Sequence, residues 1–280
     1  MRKTRRARGG KTLKIGTQAQ RTSAISASNA DAIVVRGRDL CTELVGVVTF
    51  TEHAWLLVAG NLPSAAQRRI LDANLVAIAE HGLVPSVAAS RMTLAAAPEA
   101  LQGAVAAGIL GCGSVILGSA DAAARLFTAI LTRAANEPLD AAARGLLGEM
   151  RAARQPVPGY GHPLHKKQDP RVTRLLAVAK EAGTAARHVE AALLVERLVP
   201  EIWGKPLALN VSAAIAATLL DAGYPLLAIK GVPMLARTAS LIAHLLEEQQ
   251  RPIGFVLAHE GAASIGYDGS CPDGFVPGEE

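Results

Sequence analysis

The chain has 280 residues, of which 50% are hydrophobic, 19% are charged and only 3% are aromatic, and its formal net charge is +5. This apolar content excludes an intrinsically disordered protein, and the length allows one large domain or two smaller ones. A core of Ala, Leu, Val and Ile with few aromatic residues is typical of closely packed helices.

The positive charge is concentrated at the amino end. Met1–Lys14 carries seven basic side chains and no acidic one, and the rest of the chain is close to neutral. Such a segment can contact nucleic acid or anionic lipid, but terminal segments are more often simply disordered. We predict a disordered basic tail over residues 1–15 and no nucleic-acid partner. No apolar run follows the charges, as a secretory signal would require.

The cysteines and the apolar runs bear on the compartment. Cys41, Cys112 and Cys271 are far apart and form no CxxC pair, which argues against a disulfide scaffold or a structural zinc site and fits a reducing compartment. The run Ala104–Gly118 is too short and too rich in glycine to span a bilayer. We predict a cytoplasmic protein with no membrane partner and no metal site.

Asp31–Arg38 is predicted as a short strand or extended piece, in which Ile33, Val34 and Val35 are bounded by a turn at Arg36 and Gly37. Nearly every later segment repeats apolar residues at helical spacing between capping residues and breakers. The predicted helices are Thr51–Val58, Ser64–Glu80, Glu99–Leu110, Asp121–Asn136, Leu139–Arg154, Arg171–Ala182, Ala185–Leu198, Ala208–Gly223 and Pro225–Glu248. The last is apolar on all sides, which favours a buried central helix. The residues from Gly254 onward are predicted to be irregular. Since strands are nearly absent from the predicted elements, the predicted class is all-α.

The segment Val157–Arg171 (VPGYGHPLHKKQDPR) interrupts the helical pattern with three prolines and two glycines. Gly159 and Gly161 allow a left-handed backbone or the close approach of a ligand. His162 can exchange a proton with a hydroxyl or carbonyl group near neutral pH. Arg171 can bind a carboxylate through two hydrogen bonds, and the intervening lysines can neutralise phosphate. An interdomain linker with solvated charges explains these residues equally well.

Other basic residues are candidates for an anion site. His81 closes a predicted helix, where the helix dipole favours a histidine even without a function. Arg237 interrupts an apolar helical run, so it needs a buried acid or a ligand carboxylate as its partner. Arg251 follows the same helix and can be no more than a C-terminal cation, and His244 can equally be a core histidine. The sequence contains no GK[ST] phosphate loop and no GxSxG elbow.

Several of these segments together resemble the citrate synthase superfamily. Gly159–Val172 (GYGHPLHKKQDPRV) is similar to the family's G-x-G-H…D-P-R signature, and Ala79–Gly82 (AEHG) resembles its A-D-H segment. Asn210–Val211 and Ala236–His244 (ARTASLIAH) resemble its N-V-D and R-x-x-G-x-x-x-H segments. The resemblance covers roughly residues 16–269.

This resemblance implies an all-α, citrate synthase-like fold, with a large helical domain, a smaller inserted helical domain and an active site in the cleft between them. The expected boundaries are 16–120 and 226–270 for the large domain, 121–225 for the small domain and 271–280 for a tail. It also implies a homodimer, and we expect Ser64–Glu80 and Glu99–Leu110 to contribute to its interface.

The resemblance further implies a reaction that makes or breaks a carbon–carbon bond between an acyl-CoA and a 2-oxo acid, with no tightly bound cofactor. His81 and His162 would contact the oxaloacetate or citrate moiety, with Arg171 and Arg237 on its carboxylates and Arg251 as a further candidate. The residues implied on the coenzyme A side are Lys166, Lys167, Gly159 and Gly161.

Two departures from the family pattern bear on the reaction. Ile116 stands where the synthases carry a histidine, which is similar to the citryl-CoA lyase branch, including the C-terminal module of ATP-citrate lyase. Ser212 stands where both branches have the Asp of N-V-D, which moves a proton at the acyl methyl carbon. A serine hydroxyl is too weak a base to replace a carboxylate. Asp121 and Asp221 are considered as carboxylates that could reach the site instead.

Three functions follow from these residues. Cleavage of citryl-CoA, or of a related acyl-CoA, to acetyl-CoA and oxaloacetate is favoured by Ile116 and by the set of His162, Arg171 and Arg237. Condensation of acetyl-CoA with oxaloacetate, as in citrate synthase, is disfavoured by Ile116 and Ser212. A non-catalytic protein that binds coenzyme A or a dicarboxylate is favoured by Ser212.

Overall fold

The computed structural model describes residues 22–113, 117–161 and 168–275. The chain divides into two compact units, Met1–Leu62 and Pro63–Glu280. The predicted basic tail, Ile116, His162, Lys166 and Lys167 lie outside the described residues. The division into a large and an inserted small domain stays a prediction.

The described part of the first unit, residues 22–62, begins with a small antiparallel sheet in the order β1-β2-β3. Its strands are β1 (Ser26–Ser28), β2 (Ile33–Val35) and β3 (Arg38–Asp39). Val35 lies opposite both Ser26 and Arg38, and Arg36 and Gly37 turn the chain with positive φ angles of 49° and 82°. The predicted strand and turn are confirmed, whereas β1 is too polar to show a strand pattern.

The same unit continues into two helical segments. A π-helical turn at Leu40–Leu44 is capped by Asp39, and helix α1 (Phe50–Ala59) begins with a capping box between Thr49 and Glu52. Val35, Leu44 and Leu56 form the buried cluster that holds the sheet and α1 together. The predicted helix over Thr51–Val58 is confirmed.

The second unit consists of helices and their connecting loops wherever the structure describes it. Its helices are α2 (Ala65–Ala79), α3 (Pro85–Ala96), α4 (Leu101–Leu110), α5 (Ser119–Arg133), α6 (Leu139–Ala152), α7 (Pro170–Glu181), α8 (Arg187–Trp203), α9 (Val211–Asp221), α10 (Gly231–Gln250) and α11 (Gly254–Ala263). A 3-10 turn over Leu226–Ala228 precedes α10. The predicted all-α class is confirmed.

The central helix of the second unit is α9. It packs against α2, α5, α7 and α8, and its alanines allow these neighbours to approach closely. Asn74 of α2 donates from Nδ2 to the Thr218 Oγ1 of α9 at 3.1 Å, and both side chains are fully buried. The buried amide therefore sets how α2 docks on α9.

The structure corrects the prediction for α10. Only one face of the helix is buried, and Ile242 and Leu246 on the other face are 52% and 56% exposed. Residues Leu226–Gln250 are long and apolar enough to cross a membrane. However, α10 packs on α2, α3 and α4 and carries Arg237 and Glu248 on its buried face, which is typical of a core helix.

Two helices lie where no helix is predicted. The face that α3 buries includes Ser86, Ser90 and Arg91, so its apolar periodicity is weak. The prediction of an irregular segment from Gly254 is wrong over Gly254–Ala263, where α11 forms and packs on α3, but residues 264–275 are irregular as predicted. A side chain at Gly254 would approach the Ala95 Cβ to 2.5 Å. The glycine therefore serves close helix packing rather than a loop.

Candidate active site

A cavity of about 1020 Å³ lies in the second unit at the start of α9. Six residues that were predicted from the sequence contribute to its lining: His81, Gly159, Gly161, Arg171, Ser212 and Arg237. They come from the turn after α2, the loop before α7, and helices α7, α9 and α10, so the fold brings together segments that are far apart in the sequence.

Arg251 is not part of this lining. Its side chain is exposed, and its backbone carbonyl accepts a hydrogen bond from the Arg91 Nη2 at 3.0 Å. Its role as a carboxylate ligand therefore gains no support from the geometry and stays a prediction.

Asn210 joins the Gly159–Gly161 loop to the start of α9. Its backbone N–H donates to the Gly159 carbonyl and its Nδ2 to the Gly161 carbonyl, both at 2.9 Å. Its Oδ1 accepts from the Ser212 N–H at 3.0 Å as the N-cap of α9. These contacts hold Gly161, which lines the cavity, against the start of α9.

The two glycines of the loop have different requirements. Both have positive φ angles, 85° at Gly159 and 82° at Gly161. A Cβ at Gly159 would approach the Ala213 Cβ to 2.6 Å, whereas a Cβ at Gly161 would meet only a Leu207 methyl group, at 3.4 Å. Gly159 is therefore required for the packing of the loop on α9. The contacts of these glycines with coenzyme A stay a prediction.

Arg171 is held by a carboxylate of its own helix terminus. Asp169 is 1% exposed, caps α7 and accepts from the Arg171 Nε at 3.0 Å and Nη2 at 2.8 Å. Burial alone would raise the pKa of Asp169, but the hydrogen bonds from Arg171 and from the Val211 N–H hold this pKa below its usual value. The guanidinium group is therefore oriented before any ligand binds.

Arg237 is the most deeply buried cation of the lining, at 2% exposure. Its Nη2 lies 3.5 Å from the Ile78 carbonyl. Its Nε and Nη1 are buried without a hydrogen-bond partner among the described residues. A buried guanidinium group without a carboxylate is costly, so the site favours an anionic ligand here.

Sequence reasoning missed a further cation of the cavity, Arg125 of α5. It pairs with Asp121 one turn earlier, with 2.9 Å between Nε and Oδ2. The signal that could have revealed it is its place on the helix face shared by Ala122, Leu126 and Ala129, which line the same cavity.

The described lining contains three arginines and a histidine but no Asp or Glu. Residues 114–116 and 162–167, which lie outside the described ranges, contain no acid either. Asp121 is engaged by Arg125 and is not part of the lining. Asp221 is at the far end of α9, where it accepts from the N–H groups of Ala186, His188 and Val189. Neither acid therefore substitutes for a carboxylate at Ser212.

A second cavity of about 700 Å³ shares Gln155, Pro156, Val157 and Tyr160 with the first. It is also lined by the indole of Trp203 and by three cations, Arg151, Arg154 and Lys205. Within the described ranges these three form no ion pair, in contrast to the nearby Arg133 and Arg144. Sequence reasoning missed this cavity altogether.

The described residues contain no group of three or more His, Cys, Asp or Glu side chains that could hold a metal ion. The polar chemistry of both cavities therefore comes from guanidinium, ammonium, imidazole, hydroxyl and amide groups. These groups are suited to carboxylates and phosphates.

Residues 66–254 match the family model of the citrate synthase C-terminal domain. The chain belongs to the citrate synthase family. No curated protein sequence matches it. The resemblance predicted from the sequence segments is confirmed.

Solved structures show the fold of this citrate synthase family member. It is similar to citryl-CoA lyase from Hydrogenobacter thermophilus, with a TM-score of 0.80 and 29% identity over 91% of this chain and 97% of that one. It also resembles the Methanothrix soehngenii ATP citrate lyase in complex with citrate and coenzyme A, with a TM-score of 0.72 and 22% identity over 98% of this chain and 47% of that one.

A third likeness is to citrate synthase from Thermoplasma acidophilum in a ternary complex with carboxymethyl coenzyme A and oxaloacetate. The TM-score is 0.63 and the identity 19%, over 82% of this chain and 59% of that one. The predicted citrate synthase-like fold, with its resemblance to the citryl-CoA lyase branch, is confirmed. The chain spans nearly the whole length of the lyase but less than half of the ATP citrate lyase chain.

Proposed function

We propose that this protein cleaves citryl-CoA, or a related acyl-CoA, to acetyl-CoA and oxaloacetate. The observation that carries the proposal is that His81, Arg171 and Arg237 line one cavity with no acid in its described lining. Such a cavity suits a ligand that bears several carboxylates. The likeness to citryl-CoA lyase over nearly its whole length supports the same reaction.

The cleavage is a retro-Claisen reaction in which atoms and charge balance. Arg171 and Arg237 bind carboxylates of the citryl group, and His162 accepts the proton of its hydroxyl group. The bond between the hydroxyl-bearing carbon and the thioester CH2 then breaks, which forms the carbonyl of oxaloacetate and leaves the enolate of acetyl-CoA. A proton added to the enolate carbon completes acetyl-CoA.

The step of this reaction for which the chain has the poorest catalyst is proton transfer to the enolate carbon of acetyl-CoA. Ser212 occupies the family's Asp position and lines the cavity, but a hydroxyl group exchanges protons poorly near neutral pH. We therefore expect this step to limit turnover.

The second cavity provides a place for the nucleotide end of coenzyme A. Arg151, Arg154 and Lys205 can neutralise phosphates, and the Trp203 indole offers an aromatic face for a base. The shared wall of Gln155–Val157 and Tyr160 joins it to the first cavity, as a ligand with an acyl end and a nucleotide end requires. Apart from this substrate, the proposal includes no tightly bound cofactor.

The decisive assay incubates the full chain with citryl-CoA and measures oxaloacetate through malate dehydrogenase and the oxidation of NADH. We expect oxaloacetate release by the wild type and by a His259→Ala control, because His259 is outside the described lining, and loss of this signal in His162→Ala. A wild-type rate no higher than that of His162→Ala would refute cleavage. Thiol release from acetyl-CoA plus oxaloacetate would instead identify condensation.

The absence of Asp and Glu from the described lining around Ser212 also favours a second candidate, a binding protein without turnover. Calorimetry distinguishes the two, because a binder takes up coenzyme A and oxaloacetate tightly but releases no product from citryl-CoA.

We also propose a cytoplasmic homodimer. Val76 of α2 and Leu110 of α4 are 79% and 85% exposed, which supports the predicted use of these helices at an interface. A monomeric mass by light scattering would contradict it.

A further inference from the structure

The turn that carries His81 is closed by the side chain of the preceding residue. Glu80 is the C-cap residue that follows α2, and its Oε1 accepts from the Gly82 N–H. Gly82 has a φ angle of 70°, in the left-handed region. The carboxylate therefore spans His81 and fixes the backbone on both sides of it.

The other oxygen of Glu80 binds α10. Oε2 accepts from the Ser240 Oγ and lies 3.0 Å from the His244 Nε2. Ser240 is buried, and His244 has a side-chain exposure of 14%. The turn is thus fastened to two successive turns of α10.

Arg237 lies one turn before Ser240 on the buried face of α10. Its Nη2 is 3.5 Å from the carbonyl of Ile78, in the last turn of α2. The last turn of α2 therefore contacts α10 at Arg237 and again, through Glu80, at Ser240. Since His81 and Arg237 line the same cavity, these contacts determine their relative position.

Both partners depart from the family segments quoted above. Glu80 stands where the A-D-H segment has Asp, and Ser240 stands where R-x-x-G-x-x-x-H has Gly. In this chain the longer side chain of Glu80 accepts a hydrogen bond from the Ser240 hydroxyl group. The family segments have neither residue at these two positions.

We propose that Glu80 is a positioning residue, which through Ser240 and His244 holds the His81 turn on α10 so that His81 and Arg237 bind the same anion. The identity of that anion, oxaloacetate or citrate, rests on the proposed function. The positioning of His81 does not, so the two can fail separately.

The first test uses the free protein and needs no ligand. Imidazole NMR signals of the full chain are assigned with His81→Asn and His244→Asn, and then recorded for Glu80→Ala, Ser240→Ala and Glu80→Gln. We expect the His81 and His244 signals to shift or broaden in Glu80→Ala and Ser240→Ala, and less so in Glu80→Gln, which keeps one accepting oxygen. Glu99→Ala is the control, because Glu99 is an exposed glutamate near the start of α4.

The second test compares two ligands by calorimetry. We expect Glu80→Ala to weaken oxaloacetate binding about tenfold, as the misorientation of a charge-assisted contact would. Coenzyme A affinity should be unchanged, since its nucleotide is assigned to the other cavity. Glu80→Gln should recover part of the oxaloacetate affinity, which a merely destabilised fold would not do.

The outcomes separate the two ideas. An unchanged His81 signal in Glu80→Ala overturns the positioning role, whatever the ligand. A wild type that binds no oxaloacetate while its His81 signal still depends on Glu80 overturns the proposed function and leaves the positioning role supported. Equal losses of oxaloacetate and coenzyme A affinity would indicate a purely structural role.

Discussion

Arg171 and Asp169 form a two-point contact, with 3.0 Å from Nε to Oδ1 and 2.8 Å from Nη2 to Oδ2. The Asp169 Oδ2 also accepts from the Val211 N–H at 3.2 Å. One buried carboxylate therefore links the cavity arginine to the start of α9, immediately before Ser212. The position of the guanidinium group is set by α9 as much as by its own helix.

Replacing Arg171 by lysine tests this contact. Lys retains the charge but cannot make the two-point contact with Asp169, so we expect oxaloacetate or citrate affinity to fall about tenfold or more. Arg174→Lys is the matched control, because Arg174 is an exposed residue of the same helix that pairs with Glu181. Equal affinities of the two variants, measured by calorimetry, would contradict the prediction.

Arg237→Met should separate stability from binding. A buried guanidinium group with two nitrogens that have no partner among the described residues destabilises the free protein, so an apolar side chain of similar length should raise the free energy of unfolding by about 1 to 4 kcal/mol. Dicarboxylate binding should be lost at the same time. Urea denaturation measures the first effect, with the exposed Arg197→Met as control. A less stable Arg237→Met protein would show that the cation is satisfied in the free state.

Ser212→Asp tests the missing carboxylate. An acid at this position of the cavity should accelerate proton transfer at the acyl methyl carbon, by about a hundredfold if it acts as a general acid–base catalyst. The control is Ser212→Asn, which has nearly the same size without the charge. The measurement is the rate of oxaloacetate release from citryl-CoA. Equal rates for Ser212→Asp and Ser212→Asn would rule out general acid–base catalysis by a carboxylate at this position.

Asp221 predicts how stability depends on pH. Burial would raise its pKa, but hydrogen bonds from His188 and from the backbone N–H groups at the start of α8 hold the pKa below its usual value. A carboxyl group with a lowered pKa stabilises the fold above its unfolded pKa of about 4. This contribution is lost as the pH falls through the lower, folded-state pKa.

Asp221→Asn should therefore lower the free energy of unfolding by about 2 to 3 kcal/mol at pH 7 and flatten its decline below pH 4. Denaturant unfolding across the acid range measures both effects, with the exposed Asp268→Asn as control. A decline as steep as that of the wild type would assign the acid sensitivity to other carboxylates.

Gly159→Ala and Gly161→Ala test the loop. Both impose a positive φ angle on alanine, at a cost of about 1 kcal/mol. Only Gly159→Ala adds a clash with Ala213, so we expect it to lose more stability and to displace α9. Similar melting temperatures for the two variants would be incompatible with the 2.6 Å approach.

Local patterns were sufficient for much of the fold and part of the site. Capping residues and breakers placed most helices, and the loop before Arg171 stood out because its prolines and glycines exclude a helix. Arg237 was recognisable because one cation in an apolar run needs a partner. These features depend on residues within a few turns of each other, which a sequence displays directly.

Other features depend on contacts between distant segments. The second cavity combines Arg154 with Trp203 and Lys205, about fifty residues later, and no local pattern connects them. Helix α3 buries Arg91, because Glu248 of α10 pairs with it at 2.7 Å, and it buries Ser90, whose Oγ donates to the Ala104 carbonyl of α4. The prediction that α10 is the buried central helix was also wrong. The central helix is α9, because α2, α5, α7 and α8 pack closely against its alanines, and the sequence does not show which helices will do so.

The burial of Arg237 in the first cavity has a practical consequence for anyone who handles this protein. Arg171 and Arg125 are paired with Asp169 and Asp121, but two nitrogens of Arg237 have no partner among the described residues, so small anions of the buffer compete there with an organic substrate. Phosphate and sulfate should mask weak affinities, and titrations in chloride at low ionic strength should report them most faithfully.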